Sequence, residues 1–329
     1  MARLGLTGDV MLGRLVDERQ QRRPVGAVWG DVLDRLTALD GLLVNLECCL
    51  STRGEPWTRT ERAFHFRADP DWAVPALQRA GVDCCALANN HVLDFEEPAL
   101  LDTLGYLDEG GIARTGAGRT REDAFEPAVF AVDGCTVAVV SLTDNTPEYA
   151  AGDRSPGTAY VEIDRENERT RAAVTDALAR ARARDPDLVV ASLHWGPNMV
   201  EAPPRRFRAF ARWLVDAGVD VIHGHSAHVF QGVEVYDGRP ICYDTGDFVD
   251  DYAVGDLRKD RSFLFELTVT DDGALSHLRL HPTEIYDFSV HEARADVAEW
   301  SRQRMRRLSE PFDTAFDRDG DALRVALGG

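Results

Sequence analysis

Leu4-Gly5-Leu6-Thr7-Gly8-Asp9-Val10-Met11-Leu12-Gly13-Arg14 opens the chain with an apolar run that breaks into a glycine, a carboxylate and a turn. The run reads as a buried strand that delivers Asp9 near its carboxyl end. The same order recurs at Asn45-Leu46-Glu47, Asn89-Asn90-His91, His194-Trp195-Gly196 and His225-Ser226-Ala227-His228, each placed after an apolar stretch. A histidine after a strand is by itself ordinarily a half-buried structural residue. Repeated across the chain, the pattern points to a metal site at the strand ends of a layered α/β domain. Side chains just past the carboxyl ends of adjacent strands converge without further machinery.

Outward from these segments, the first half alternates short apolar runs with helical patterns. A helical stretch around Val28 to Leu39 leads to the strand Leu42-Leu43-Val44, and a helix around Trp72 to Ala80 leads through Gly81 to a strand over Asp83 to Ala88. Glu96 to Glu109 reads as an amphipathic helix closed by Gly110-Gly111. Cys135 to Leu142 is a strongly apolar strand, followed by a polar loop, Thr143 to Thr158, readable as a lid or as a plain connection. A charged helix, Arg165 to Arg184, precedes the strand that ends at His194, and a helix over Pro204 to Ala217 precedes the one that ends near His225. Strands and turns then take over: Val229 to Tyr236, the hairpin turn Asp237-Gly238, Pro240 to Tyr243, Ser262 to Val269 and Leu278 to His281. A second sheet packed on the first is the architecture expected. Val290 to Leu308 reads as a terminal helix docking by one face through Val290, Ala293, Val297 and Trp300, and residues from Asp313 onward are expected to be loosely held.

The candidate ligands are mixed in type. Asp9 and Glu47 offer carboxylates, Asn90 a neutral carbonyl, and His194, His225 and His228 imidazoles. Such a set suits one or two divalent ions of manganese, iron, zinc or nickel and points away from calcium-only or thiolate sites. His91, beside Asn90, can act as a general acid on a leaving oxygen or a carbanion, and Asp94 is within reach to fix its tautomer. The alternative is that both only tie down their loop. Arg14 can bind an anionic substrate group through two donors, or neutralise the carboxylates. His223, just inside its strand, reads as structural, and His65, His277, His281 and His291 have no motif around them.

Composition narrows the partners. At 329 residues and 44% hydrophobic content the chain can bury a sizeable core, as one large domain or two smaller ones. A formal charge of −19 argues against nucleic acid or an anionic membrane surface. Lys259 is the only lysine beside 56 acidic residues, a balance that fits an arginine-biased genome and a salt-adapted surface alike. The six cysteines show no CxxC pairing and read as small core residues of a reducing compartment. Adjacent pairs such as Cys84-Cys85 point to opposite faces of a strand. No targeting or membrane-spanning segment is visible, so the expected location is cytoplasmic. Oligomeric state is left open.

The phrases GDVMLGR from Gly8, VNLE from Val44, LANNHVLDF from Leu87, LHWG from Leu193 and GHSAHVFQGVEVYDGRPICYDTGDFV from Gly224 resemble the CapA family, the poly-γ-glutamate capsule synthesis proteins of the calcineurin-like metallophosphoesterase superfamily. The resemblance spans about Leu4 to Asp250. It implies a four-layered α/β/β/α sandwich of metallo-dependent phosphatase type over residues 1–287, with a C-terminal helix and tail over residues 288–329. By the same resemblance Glu47 is the counterpart of the bridging carboxylate, Asn90 and His91 of the Asn-His pair, and His194, His225 and His228 of the later histidines. The chain departs from the pattern at three places. Met11 stands where the superfamily has a histidine, Ser226-Ala227 where relatives have His-Pro, and Asp247 where they have asparagine.

Three functions follow as expectations. The first is a CapA-like metal-dependent enzyme acting on a poly-γ-glutamate, peptide or phosphoester substrate, by activated water or by carbonyl polarisation, with epimerisation of a peptide as a variant. The second is a non-catalytic binding component of envelope-polymer assembly. The third, a general phosphodiesterase, is an analogy from the superfamily.

Overall fold

The computed structural model describes residues 1–328. Its strands are β1 (Ala2–Val10), β2 (Gly41–Leu46), β3 (Cys84–Ala86), β4 (Ala113–Thr115), β5 (Ala128–Val132), β6 (Cys135–Thr143), β7 (Leu188–His194), β8 (Val221–His225), β9 (Val233–Tyr236), β10 (Arg239–Cys242), β11 (Asp247–Val249), β12 (Arg261–Val269), β13 (Leu275–Tyr286), β14 (Ser289–Glu292), β15 (Asp317–Asp319) and β16 (Ala322–Ala326). The main helices are α1 (Pro70–Ala80), α2 (Glu96–Glu109), α3 (Glu168–Arg182), α4 (Arg205–Asp216) and α5 (Ala295–Ser309).

The fold is mixed α/β and built on two principal sheets. A ten-stranded mixed sheet runs β15-β16-β13-β12-β1-β2-β3-β4, with β11 pairing beside β1 and β14 beside β13. From β1 to β4 its strands are parallel, and from β1 through β12, β13 and β16 they are antiparallel. The second sheet has six strands in the order β9-β10-β8-β7-β6-β5, parallel except for its two edge strands.

Three apolar clusters show how these parts stack. Leu4, Leu6 and Leu43 of the larger sheet and Val137, Val139, Val190 and Val221 of the smaller one share a single core between the sheets. The outer face of the larger sheet packs Leu42, Val44 and Cys85 against Leu77 of α1 and Leu100 and Leu104 of α2. On the outer face of the smaller sheet, Val140, Val189 and Ile222 meet Val174 and Leu178 of α3 and Phe210 and Leu214 of α4. Cys84 and Cys85 fall in opposite clusters, as strand alternation requires. All six cysteines are buried and free.

Parallel strands buried on both faces read as continuous apolar runs, which is why β1, β2, β6, β7 and β8 were visible in the sequence. The helices are placed by caps as well as by faces. Asn167 Oδ1 accepts the backbone N–H groups of Arg169 (2.9 Å) and Thr170 (3.1 Å) at the start of α3, and Asp69 caps α1 through the N–H of Asp71 at 3.0 Å.

Four expectations need correction. The helix over Val28 to Leu39 is a 3-10 turn, Ala27–Val32, followed by a short helix, Leu33–Thr37, because Gly30 leaves helical space at φ 46°. The terminal helix begins at Ala295, and Val290 sits in β14 instead. The strand expected from Val229 starts only at Val233. The residues beyond Asp313 are not loose: β15 and β16 form a hairpin that extends the large sheet beside β13, with Leu323 fully buried. Gly320-Asp321 followed by the alternating Ala322-Leu323-Arg324-Val325-Ala326 was the available hairpin signal. No helix among the described residues is long and apolar enough to cross a membrane.

Candidate metal centre

The carboxyl ends of the parallel strands from both sheets meet at one place. Asp9 lies in register with Asn45 on one side and Asp247 on the other, and His194 lies in register with His225 in the facing sheet. Glu47 follows β2 directly, and Asn89-Asn90-His91 follow β3 through a turn. Strand register therefore delivers most of the polar motifs to one buried cluster.

Two trios of ligand atoms share Asp9. Asp9, His194 and His225 form one, and Asp9, Glu47 and His228 form the other, each with its ligand atoms within 4.8 Å of one another. Asp9 Oδ1 lies 3.8 Å from His194 Nδ1 and 3.6 Å from His225 Nδ1, and Asp9 Oδ2 lies 3.8 Å from His228 Nδ1. Glu47 Oε1 lies 3.8 Å from His194 Nε2 and 4.0 Å from His91 Nε2. Asn45 Nδ2 donates to Asp9 Oδ1 at 2.6 Å, and the backbone N–H of Ser226 donates to Asp9 Oδ2 at 3.3 Å, which fixes the shared carboxylate.

A cation is the group these residues fit. Glu47 Oε1, Asn90 Oδ1, Asp247 Oδ2 and Asp250 Oδ2 are buried acceptors with no hydrogen-bond partner among the described residues. Buried acceptors without donors are costly, and a divalent cation is a group that satisfies acceptors of this kind, Glu47 being the one that also belongs to a trio of possible ligands. Burial first, then the Asp244 carboxylate, pushes Asp9 well above the usual carboxylate range. Burial first, then Asp9, does the same to Glu47, and burial with Asp250 and Asp9 to Asp247. Burial holds His194 and His225 well below the usual imidazole range, and His228 is pushed down to about 3 by burial, then by Lys259 and His91. The histidines are thus kept neutral, the state in which imidazole ligates metal.

A buried hydrogen-bond chain assigns one ligand atom. Thr7 O can only accept, so His223 donates Nε2–H to it at 2.7 Å and its Nδ1 accepts from Ser192 Oγ at 3.1 Å. Ser192 Oγ in turn accepts Nε2–H of His225 at 2.9 Å, leaving His225 Nδ1 as a lone pair beside Asp9. His223 is thereby a support, as its position in the strand suggested, and burial lowers it to about 4.

His91 stands at the edge of the cluster. Its Nδ1 lies 2.5 Å from Asp94 Oδ2, its ring stacks on Phe66 with centroids 3.9 Å apart, and its backbone N–H is held by Asn89 Oδ1 at 3.0 Å. Asp94 also accepts the backbone N–H of Phe66 at 2.8 Å and the Tyr149 hydroxyl at 3.1 Å. Tyr149 comes from the Thr143 to Thr158 segment and is buried against the site. His91 Nε2 is left facing Glu47 and a cavity of about 360 Å³, lined also by Asn90, His228, Phe66 and Tyr252.

Arg14 is placed differently from the rest. Its guanidinium pairs with Asp251 at 3.2 Å and covers the rings of Phe64 and Phe66 at 5.0 and 5.6 Å, so one carboxylate already occupies it. Several residues outside the candidate set belong to the site. Asp247 Oδ1 lies 2.8 Å from His228 Nδ1, and the Tyr252 hydroxyl donates to Glu47 Oε2 at 3.3 Å. Asn45, Ser192 and Asp250 also take part. Asn45 and Asp247 were visible in their motifs, whereas Ser192, inside an apolar strand, and Tyr252, in a loop, carried no sequence signal.

Known proteins share most of the chain that builds this geometry. A family model described as "Bacterial capsule synthesis protein PGA_cap" matches residues 3–252. The chain is 35% identical over 352 aligned residues to a "Probable polyglutamine synthesis accessory protein" of Mycobacterium tuberculosis, covering 93% of this chain and 91% of that one. It is 29% identical over 293 residues to the "PGA biosynthesis protein CapA" of Bacillus subtilis, covering 87% of this chain and 71% of the relative. Among solved structures, a hypothetical protein from Thermus thermophilus matches with a TM-score of 0.49 at 18% identity, over 86% of this chain and all of that one.

Proposed function

The chain belongs to the bacterial capsule synthesis protein family PGA_cap, and from that premise we propose that it is a metal-dependent enzyme acting on a γ-glutamyl or related peptide-like chain, with a phosphoester as the other substrate class its site chemistry accommodates. The stacking of helices and two sheets is then the four-layered α/β/β/α sandwich of the metallo-dependent phosphatases, with residues 288–329 as an extension on the domain 1–287.

The observation that carries the proposal is the pair of buried trios sharing Asp9, set directly beside the His91–Asp94 pair. Asp9, Glu47, His194, His225 and His228 would hold one or two divalent ions of the manganese, iron, zinc or nickel type, with Asn90 and Asp247 completing the set. When bound, such an ion would supply polarisation of a carbonyl or phosphoryl oxygen and acidification of water. His91, oriented through Nδ1 by Asp94, delivers or removes a proton at Nε2 on the cavity side. Phe66, stacked on the His91 ring, holds that nitrogen toward the substrate and keeps water off its flank. Tyr252 fixes one oxygen of Glu47.

Elemental analysis of the purified protein beside Asp9→Asn and His194→Ala variants, after reloading with several divalent ions, tests the site. One or two ions per chain, lost in both variants, is the expected result; no ion under any loading condition refutes it. His91→Ala is expected to retain the metal while losing turnover of a γ-glutamyl oligomer by on the order of 100-fold or more. A wild-type protein that binds metal and oligomer without turnover would instead be the binding component of polymer assembly.

A further inference from the structure

We propose that Lys259 is the anion-recognition residue of this cavity, its ammonium receiving the free carboxylate, or a phosphate of the same charge, of the substrate unit that enters beside His91. The inference rests on the proposed function for the identity of the substrate, though not for the existence of the anion site.

Lys259 is the single lysine of a chain with 56 acidic residues. It lies in the loop between β11 and β12 and lines the same cavity as His91, Asn90 and His228. Among the described residues it makes no ion pair within 4.0 Å and no side-chain hydrogen bond. Its Nζ rests over the Tyr252 ring, 4.6 Å from the centroid, and Tyr252 is the residue that donates to Glu47. An ammonium group on an aromatic face is held in place without spending its N–H donors on an acceptor.

The other cation of the cavity wall is already committed. Arg62 donates Nη1 to Thr146 Oγ1 at 2.9 Å and Nη2 to the Asn90 carbonyl, lies 3.5 Å from Asp94 Oδ1, and covers the Tyr149 ring at 4.9 Å. Arg62 therefore builds the wall, and of the two cations lining the cavity Lys259 is the one with no acceptor already paired to it. In so acidic a molecule, a polyanionic substrate meets repulsion nearly everywhere else. A positive charge with free donors at the cavity gives such a chain a place to enter.

The test is calorimetric titration of the full chain and its Lys259→Gln and Lys259→Arg variants. The probes are a γ-glutamyl tetrapeptide with free α-carboxylates, its α-carboxamide analogue and inorganic phosphate, with metal content measured in parallel. Lys259→Gln is expected to weaken the carboxylate oligomer by roughly tenfold or more, as loss of a charge-assisted hydrogen bond does, while leaving metal content unchanged. Lys259→Arg should retain most of the affinity, and the carboxamide should bind weakly to all three proteins. Phosphate bound in place of the oligomer, and weakened by Lys259→Gln, supports the anion site and removes the γ-glutamyl substrate. A wild-type protein that holds no metal yet discriminates through Lys259 refutes the metalloenzyme proposal and supports this one. Equal affinity in wild type and Lys259→Gln, equal loss for carboxylate and carboxamide, or no anion bound by the wild type would overturn it.

Discussion

Ser192 touches no candidate substrate space, yet its hydroxyl decides which nitrogen of His225 faces Asp9. Ser192→Ala should therefore lower metal affinity by about 10- to 100-fold with little change in fold, measured by competition with a chromogenic chelator; unchanged affinity would show that His225 finds its tautomer without help. His223, pushed down to about 4, makes stability depend on pH. Its folded value lies below the unfolded one, so between about 6.5 and 4 the unfolded chain binds a proton that the folded one refuses. Stability from this group is full above 6.5 and falls on acidification by about 1.4 kcal/mol per pH unit across that window. Asp244 and Asp250, raised to about 7 and about 6 mainly by burial, act with the opposite sign over much of the same range. The expected outcome is thus a difference: urea denaturation of metal-free protein at pH 6.5 and 4.5 should show a larger acid loss in wild type than in His223→Asn.

β1 and the residue leading into β11 approach so closely beside the candidate metal centre that a side chain cannot fit between them. A Cβ on Gly8 would stand 2.0 Å from the carbonyl oxygen of Gly246. That glycine immediately precedes Asp247 and accepts the backbone N–H of Asp9 at 2.8 Å. Gly8→Ala is accordingly expected to push β11 off β1, costing about 1–3 kcal/mol or more and weakening metal binding as well, because Asp9 and Asp247 lose their common register. Stability with metal affinity intact in Gly8→Ala, followed by thermal melts and metal titration, would show that β11 adjusts freely. The same pairing explains why Asp247 was only half legible in the sequence: its motif was visible as a departure from the family pattern, whereas the short strand that seats it beside Asp9 was not.

For the molecule as a whole, the hairpin of β15 and β16 covers the β13 edge, burying Leu323 and, nearly so, Val325 and Leu327. Arg302 of α5 also donates to the Asp321 carbonyl at 2.7 Å. Removing residues 314–329 should destabilise the fold by several kcal/mol, on the order of what burying those side chains contributes, and expose an edge prone to association. Size-exclusion chromatography and thermal unfolding would detect both. The charge of −19 acts at this scale as well. Screening should raise the melting temperature of metal-free protein as ionic strength goes from about 0.01 M to about 0.5 M, and a flat response would mean that local ion pairs already balance the excess.

By itself the sequence determined the parallel strands, their polar ends, the candidate ligand types and the family, because each is written locally: a buried parallel strand is a continuous apolar run, and a strand end shows as a break into polar residues. Asp9, Glu47, Asn90, His91, Asp94, His194, His225 and His228 could all be named on that basis. Only the tertiary structure decided which of these meet. Register across β1, β2 and β11 and between β7 and β8 gives Asp9 its central place, brings in Asp247 and Tyr252, and turns Arg14 toward Asp251. Ser192, Lys259 and the C-terminal hairpin gained their roles in the same way. Apart from Tyr252 beneath Lys259 and the hairpin's own turn, their partners lie tens to hundreds of residues away, and no local pattern encodes a contact whose other half is set by the packing of two sheets.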